Sequence, residues 1–127
     1  MENDRLYNIN VEVQTAYLAD QSLPAQRRYV FTYTVTIHNT GEVGARLVTR
    51  HWYIKDAEEH LQEVHGEGVV GVQPYLQPGE AFQYTSGAVL ETSVGTMRGH
   101  YDMVADDGVQ FQAEIPTFVL SIPHTLH

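Results

Sequence analysis

Three glycines in the run VHGEGVVGVQP, from Val64 to Pro74, carry the chain's most conspicuous spacing. Gly66, Gly68 and Gly71 stand as G-x-G-x-x-G, the pattern that cradles a pyrophosphate in dinucleotide-binding proteins. That chemistry needs a strand before the glycines and a helix directly after them, whose N-terminal N–H groups and dipole hold the anion. The segment HLQEVH can supply the strand. Pro74 and Pro78 in VQPYLQPGE leave no room for the helix, because proline is excluded from a helix interior. Glu67 inside the motif and Glu63 just before it would also meet an incoming phosphate with negative charge. The spacing therefore predicts turns and close backbone approach; a weak nucleotide or pyrophosphate site would have to rely on a nest of free N–H groups instead. Tyr75, framed by the two prolines, joins Gly66, Gly68 and Gly71 in a candidate ligand or partner loop. It can serve as a partly exposed aromatic anchor or simply fold onto the core.

Seven histidines invite a metal. His100 and Asp102, two apart in an alternating run, share a face and form the best-spaced pair for a divalent cation. An exposed polar strand face accounts for them equally well, and the spacing names no third ligand. His60 and His65, five apart, fall on opposite faces of any strand that holds both. His124 and His127 sit in a tail expected to be mobile, where cobalt or nickel affinity would be weak and adventitious. No HExxH is present, and the absence of cysteine excludes a thiolate nucleophile, a disulfide framework and a Cys-based zinc site. Ser86 in YTSGA is no nucleophile elbow, since Tyr84 stands where G-x-S-x-G needs glycine. No residue is assigned a catalytic role, no enzymatic activity is expected, and no cofactor is expected.

The formal net charge of −9, with Lys55 the single lysine, argues against nucleic acid as a partner. Asp56, Glu58, Glu59, Glu63 and Glu67 form an acidic stretch that reads first as a solvated face and second as an attractor of a basic partner or a divalent cation. No stretch has signal-peptide or membrane-spanning character, so a cytoplasmic protein without membrane insertion is expected.

What must position these groups is a β framework. Tyr7, Ile9, Val11 and Val13 alternate with polar residues, as do Tyr29, Phe31, Tyr33, Val35 and Ile37, then Met97, Tyr101 and Met103, then Val109, Phe111, Ala113 and Ile115. Asp106-Asp107-Gly108 between two such runs predicts a hairpin joining strands near 96–105 and 109–115. At Pro116 the apolar parity flips to Phe118, Leu120 and Ile122, which predicts a bulged, kinked edge strand at the end. Trp52 and Ile54, with Val48, share one face, and Trp52 is expected between the sheets. Arg50 has the same parity, so it lies toward the rim or the strand is irregular there. The whole reads as one domain over 1–127, an all-β antiparallel sandwich of about seven or eight strands. Its core spans about 6–123; the first residues, the QSLPAQ connection and the tail after Pro123 are expected outside it.

The blocks RLVTRHWYIKDA, VHGEGVVGVQPYLQPGEAFQYTSGAVLET, GTMRGHYDM and FQAEIPTFVLSIP resemble the ApaG family, over roughly Tyr29 to Pro123. Gly66, Gly68 and Gly71 stand where that family has them. The resemblance implies an immunoglobulin- or fibronectin type III-like sandwich, in agreement with the periodicity. For function it implies links to cobalt tolerance and magnesium efflux, and a bacterial gene near one for diadenosine tetraphosphate hydrolysis. Similar domains in eukaryotic F-box proteins and in a polymerase-delta-interacting protein look like interaction modules. The expectation is a non-enzymatic binding module whose partner is another protein, with weak nucleotide, pyrophosphate or divalent-metal binding as the alternative and the oligomeric state open.

Overall fold

The computed structural model describes residues 5–123. Residues 1–4 and 124–127, with His124 and His127 and the ends expected to be mobile, lie outside the described residues.

Each alternating run becomes a strand. The chain forms β1 (Ile9–Tyr17), β2 (Tyr29–Asn39), β3 (Ala45–Asp56), β4 (Leu61–Glu67), β5 (Tyr75–Leu76), β6 (Ala81–Leu90), β7 (Val94–Ala105) and β8 (Gln110–Ser121). All pairings are antiparallel. One sheet has three strands in the order β1-β2-β6; the other has five, in the order β4-β3-β7-β8 with the short β5 also paired to β3. This is an antiparallel sandwich in which the inward residues of both sheets share one core. Val35, Ile37, Leu47, Tyr101 and Leu120 are fully enclosed there, and burying each of the aliphatic side chains among them contributes about 1.5–3 kcal/mol. β1 packs beside β8 along one side of the sandwich, whereas β4 and β6 are the free edges of their sheets on the other.

The expected hairpin joins β7 to β8. Gly108, at φ +87°, closes it with its N–H on the Ala105 carbonyl at 2.9 Å. Pro116 does what its phase change predicts. Met97 pairs with Phe118 and Gly99 with Ile115, so Pro116 and Thr117 oppose Arg98 alone. The resulting bulge sits on β8, an edge strand.

Trp52 is buried, 2 % exposed, with its ring edge-on to Tyr33 and Phe118. Val48 does not share its face in the regular way. Leu47 pairs with Met103 and Thr49 with Asp102, which leaves Val48 as an extra residue on β3. The bulge switches parity: Ala45 and Leu47 are the buried residues before it, and Trp52 the buried residue after it. The QSLPAQ connection is also less loose than its composition suggests. It is mostly exposed, but Ser22 is buried, accepting the Val30 N–H at 2.9 Å and donating to the Leu18 carbonyl at 2.8 Å.

Candidate functional site

The glycine segment follows a strand but opens no helix. β4 ends at Glu67, the chain reverses over residues 68–72, and it returns through Pro74 into β5. Val69 and Val72 exchange both backbone hydrogen bonds, at 2.8 and 3.0 Å, around Val70 and Gly71. Both central residues have positive φ, +42° and +84°. A two-residue loop with that backbone is a type I′ hairpin turn.

Each glycine of the motif has its own steric reason. A Cβ on Gly66 would meet the Arg50 guanidinium at 2.5 Å, and one on Gly68 would meet the Val72 carbonyl oxygen at 2.2 Å. Gly68 also sits at φ +61°. Gly71 faces open space, and only its left-handed backbone calls for glycine. The Arg50 guanidinium, admitted by Gly66, donates to the carbonyls of Glu67 and Gly68 at 3.0 and 2.9 Å. The loop is further pinned to the β3 bulge: the Gly68 N–H and the Gln73 side chain both donate to the Val48 carbonyl. Arg50 thus resolves its parity conflict in both expected ways, since the strand is irregular and the side chain lies at the rim.

Fixed in this way, the hairpin turns apolar groups outward. Val70 is 58 % exposed, Val72 45 % and Tyr75 39 %. Tyr75 neither stands free nor folds into the core. Its hydroxyl donates to Asp106 at 2.9 Å, its ring lies under Arg46, and its hydroxyl occupies space that the missing side chain of Gly44 leaves open. Gly66, Gly68, Gly71 and Tyr75 lie along the β4–β5 side of β3, with Gly71 and Tyr75 exposed and Gly68 buried beneath the turn.

A groove of about 320 Å³ opens beside this loop between β4 and β6. Trp52, Val64 and Val89 line it, with Arg50 and Ser86 as polar members. Ser86 lies within β6, away from any strand-to-helix turn.

His100 and Asp102 share the outward face of the five-stranded sheet, with His100 Nε2 3.7 Å from Asp102 Oδ1. Asp102 is oriented by Thr49, which donates to it at 2.6 Å, and by Gln112 at 3.3 Å. The register brings two more imidazoles to the same face, because His51 pairs directly with His65 on one side and His100 on the other. Burial first, then the proximity of His65 and His100, holds the His51 pKa below its ordinary value, against the opposing pull of Glu63 and Asp102. His60 is not on a strand with His65; its ring approaches Asp56 at 3.2 Å in the turn before β4. Among the described residues, Asp56, Glu58 and His60 place one ligand atom each within 4.8 Å of one another. That closeness follows from the turn itself, in which Asp56 accepts the N–H groups of Glu58 and His60 at 2.8 and 3.0 Å. Glu58 is in addition paired with Arg27.

Four participants escape sequence reasoning. Val70 carries no turn signal of the Asn or Gly kind. Arg50 shows only as a parity anomaly. His51 and His65 meet through a register that no local pattern displays.

Comparison with known proteins places the chain among relatives. The family model described as the ApaG domain matches residues 19–105. Proteins named ApaG from Thiobacillus denitrificans and Nitrosomonas europaea are 58% and 56% identical over 127 residues, covering all of both chains. A crystal structure described as the ApaA protein from Bordetella pertussis superposes with a TM-score of 0.93 at 50% identity, covering 95% of this chain and 98% of that one.

Proposed function

The chain belongs to the ApaG family, and from that premise we propose that it is a non-enzymatic binding module that presents the hairpin at Val69–Val72, with Tyr75 beside it, to another protein. The observation that carries this reading is Val70. A β-branched residue at φ +42° is strained, and this one is mostly exposed. Asparagine or glycine would relieve the strain without loss of any core contact, so stability alone does not account for valine there. An apolar side chain held outward on a pinned turn is what a partner's pocket recognises. Val72 and Tyr75 extend the same surface, and loops on a rigid sandwich are the customary place for such contacts.

The acidic balance of the chain favours a partner whose facing surface is neutral or basic. On this reading the protein works in the cytoplasm, and any part in cobalt tolerance or magnesium efflux runs through that partner. The test is co-purification from native lysate with the tagged full chain, its Val70→Asn variant and its Tyr75→Ala variant. The wild type is expected to retain a specific partner that both variants lose. Equal recovery of every partner by all three would overturn the role of the loop.

A further inference from the structure

Three imidazoles stand side by side on the outward face of the five-stranded sheet. His65, His51 and His100 are direct cross-strand neighbours on β4, β3 and β7. The His51 ring centroid lies 3.6 Å from that of His65 and 5.0 Å from that of His100. His51 Nε2 is closed off from solvent yet has no hydrogen-bond partner among the described residues. Buried polar atoms are almost always bonded, so an orphaned imidazole nitrogen in a cluster of others points to a ligand. Two carboxylates stand beside the row: Glu63 Oε1 is 4.0 Å from Nε2 of the central His51, and Asp102 Oδ1 is 3.7 Å from His100 Nε2.

We propose that His51, His65 and His100 bind a single divalent transition-metal ion of the zinc class, with the carboxylate of Glu63 or Asp102 completing the coordination. The donor set decides the class. Neutral imidazole with one carboxylate suits zinc, copper or nickel, whereas magnesium seeks an octahedron of oxygens. Two donors on one tetrahedral zinc lie about 3.3 Å apart for zinc–nitrogen bonds of about 2.0–2.1 Å. The histidine–carboxylate separations of 3.7 and 4.0 Å are close to that. Among the described residues it is Asp56, Glu58 and His60 whose ligand atoms all lie within 4.8 Å, so the row closes on an ion only after its rings turn. His65 is exposed, so its ring can turn toward solvent, while His51 stays packed between its neighbours and Tyr53, whose ring stacks on it at 4.5 Å. Asp102, held by Thr49 and Gln112, keeps a fixed carboxylate beside His100. This inference rests on different residues from the hairpin and does not depend on it.

The test is titration calorimetry of the full chain at pH 7.5 with zinc chloride and, separately, magnesium chloride. The chains compared are wild type, His51→Gln, His65→Gln and the double variant His124→Gln/His127→Gln. Amide NMR spectra establish that each variant is folded; His65→Gln, at an exposed site, keeps the test open if His51→Gln does not fold. The wild type and the terminal double variant are expected to bind one zinc ion with micromolar affinity, without heat from magnesium. Zinc-induced amide shifts should centre on residues 51, 65 and 100, and each folded row variant should lose at least about tenfold in affinity. Absence of stoichiometric zinc binding by the wild type, unchanged affinity in a folded row variant, or loss confined to the terminal variant would overturn the assignment.

Discussion

The hydroxyls of Tyr84 and Tyr101 meet in a hydrogen bond that crosses the core from β6 to β7 and so ties one sheet to the other. Both side chains are buried, and burial first raises both phenol pKa values well above their ordinary range. Neither hydroxyl has another protein partner among the described residues. Replacing either tyrosine by phenylalanine strands the other hydroxyl in the core, at a cost of about 1–3 kcal/mol. Replacing both removes the stranded group. The double variant Tyr84→Phe/Tyr101→Phe should therefore be destabilised by less than the sum of the two single variants, with a coupling of about 1 kcal/mol or more in a denaturant double-mutant cycle. Strictly additive values would show that the hydroxyls act separately.

The glycines of the hairpin should respond in a definite order. Gly68→Ala places a Cβ against the Val72 carbonyl oxygen at 2.2 Å on a left-handed backbone, and backbone atoms cannot move aside cheaply. A loss of about 2 kcal/mol or more is expected. Gly71→Ala meets nothing within 4 Å among the described residues, so it should lose only the left-handed penalty of about 1–2 kcal/mol. Urea denaturation of the two variants distinguishes them, and a larger loss for Gly71→Ala would contradict the geometry described above.

The difference between what was and was not legible in the sequence runs along the same lines. Period-two alternation gave β1, β2, β7 and β8, and Asp107-Gly108 gave the β7–β8 hairpin, because both are local consequences of backbone geometry. The bulge at Pro116 was legible because a proline and a parity flip coincide. The bulge at Val48 was not: Val48 is as apolar as Leu47, and only pairing with β7 shows which of them is extra. The glycine loop was legible as a turn, since two prolines deny it a helix. Its outward valine was hidden, because the positive φ at Val70 opposes that residue's own preference. The histidine row was half legible. His100 and Asp102 share a face by spacing alone, whereas His51 and His65 join them through strand order and register, which are non-local.

Val70 offers a stability experiment separate from binding. Asparagine adopts the left-handed region readily and is preferred at this position of a type I′ turn. Val70→Asn removes little buried surface, since the side chain is mostly exposed. The variant should be more stable by about 1 kcal/mol, raising Tm by about 4 °C in a domain of this size. Calorimetric melting measures it directly. An unchanged or lowered Tm would mean that valine is already accommodated, and the strain that carries the interaction reading would be gone.

Asp56 sets an acid limit on the turn between β3 and β4. Its carboxyl is 8 % exposed, and burial alone would raise its pKa. The N–H groups of His60 and Glu58 and the His60 ring outweigh that burial, so the folded-state pKa lies below the ordinary 3.8. A carboxyl whose folded pKa is depressed adds stability above the unfolded value and loses it as pH falls through the folded one. The wild type should therefore lose melting temperature as the pH is lowered from 5 through about 4 and below. Asp56→Asn keeps an oxygen to accept the same N–H groups but has no proton to gain. Its Tm should be lower than that of the wild type at pH 5, and the gap should shrink as the pH drops below 4. Parallel Tm curves for the two proteins over that range would show that the Asp56 charge adds nothing to the turn.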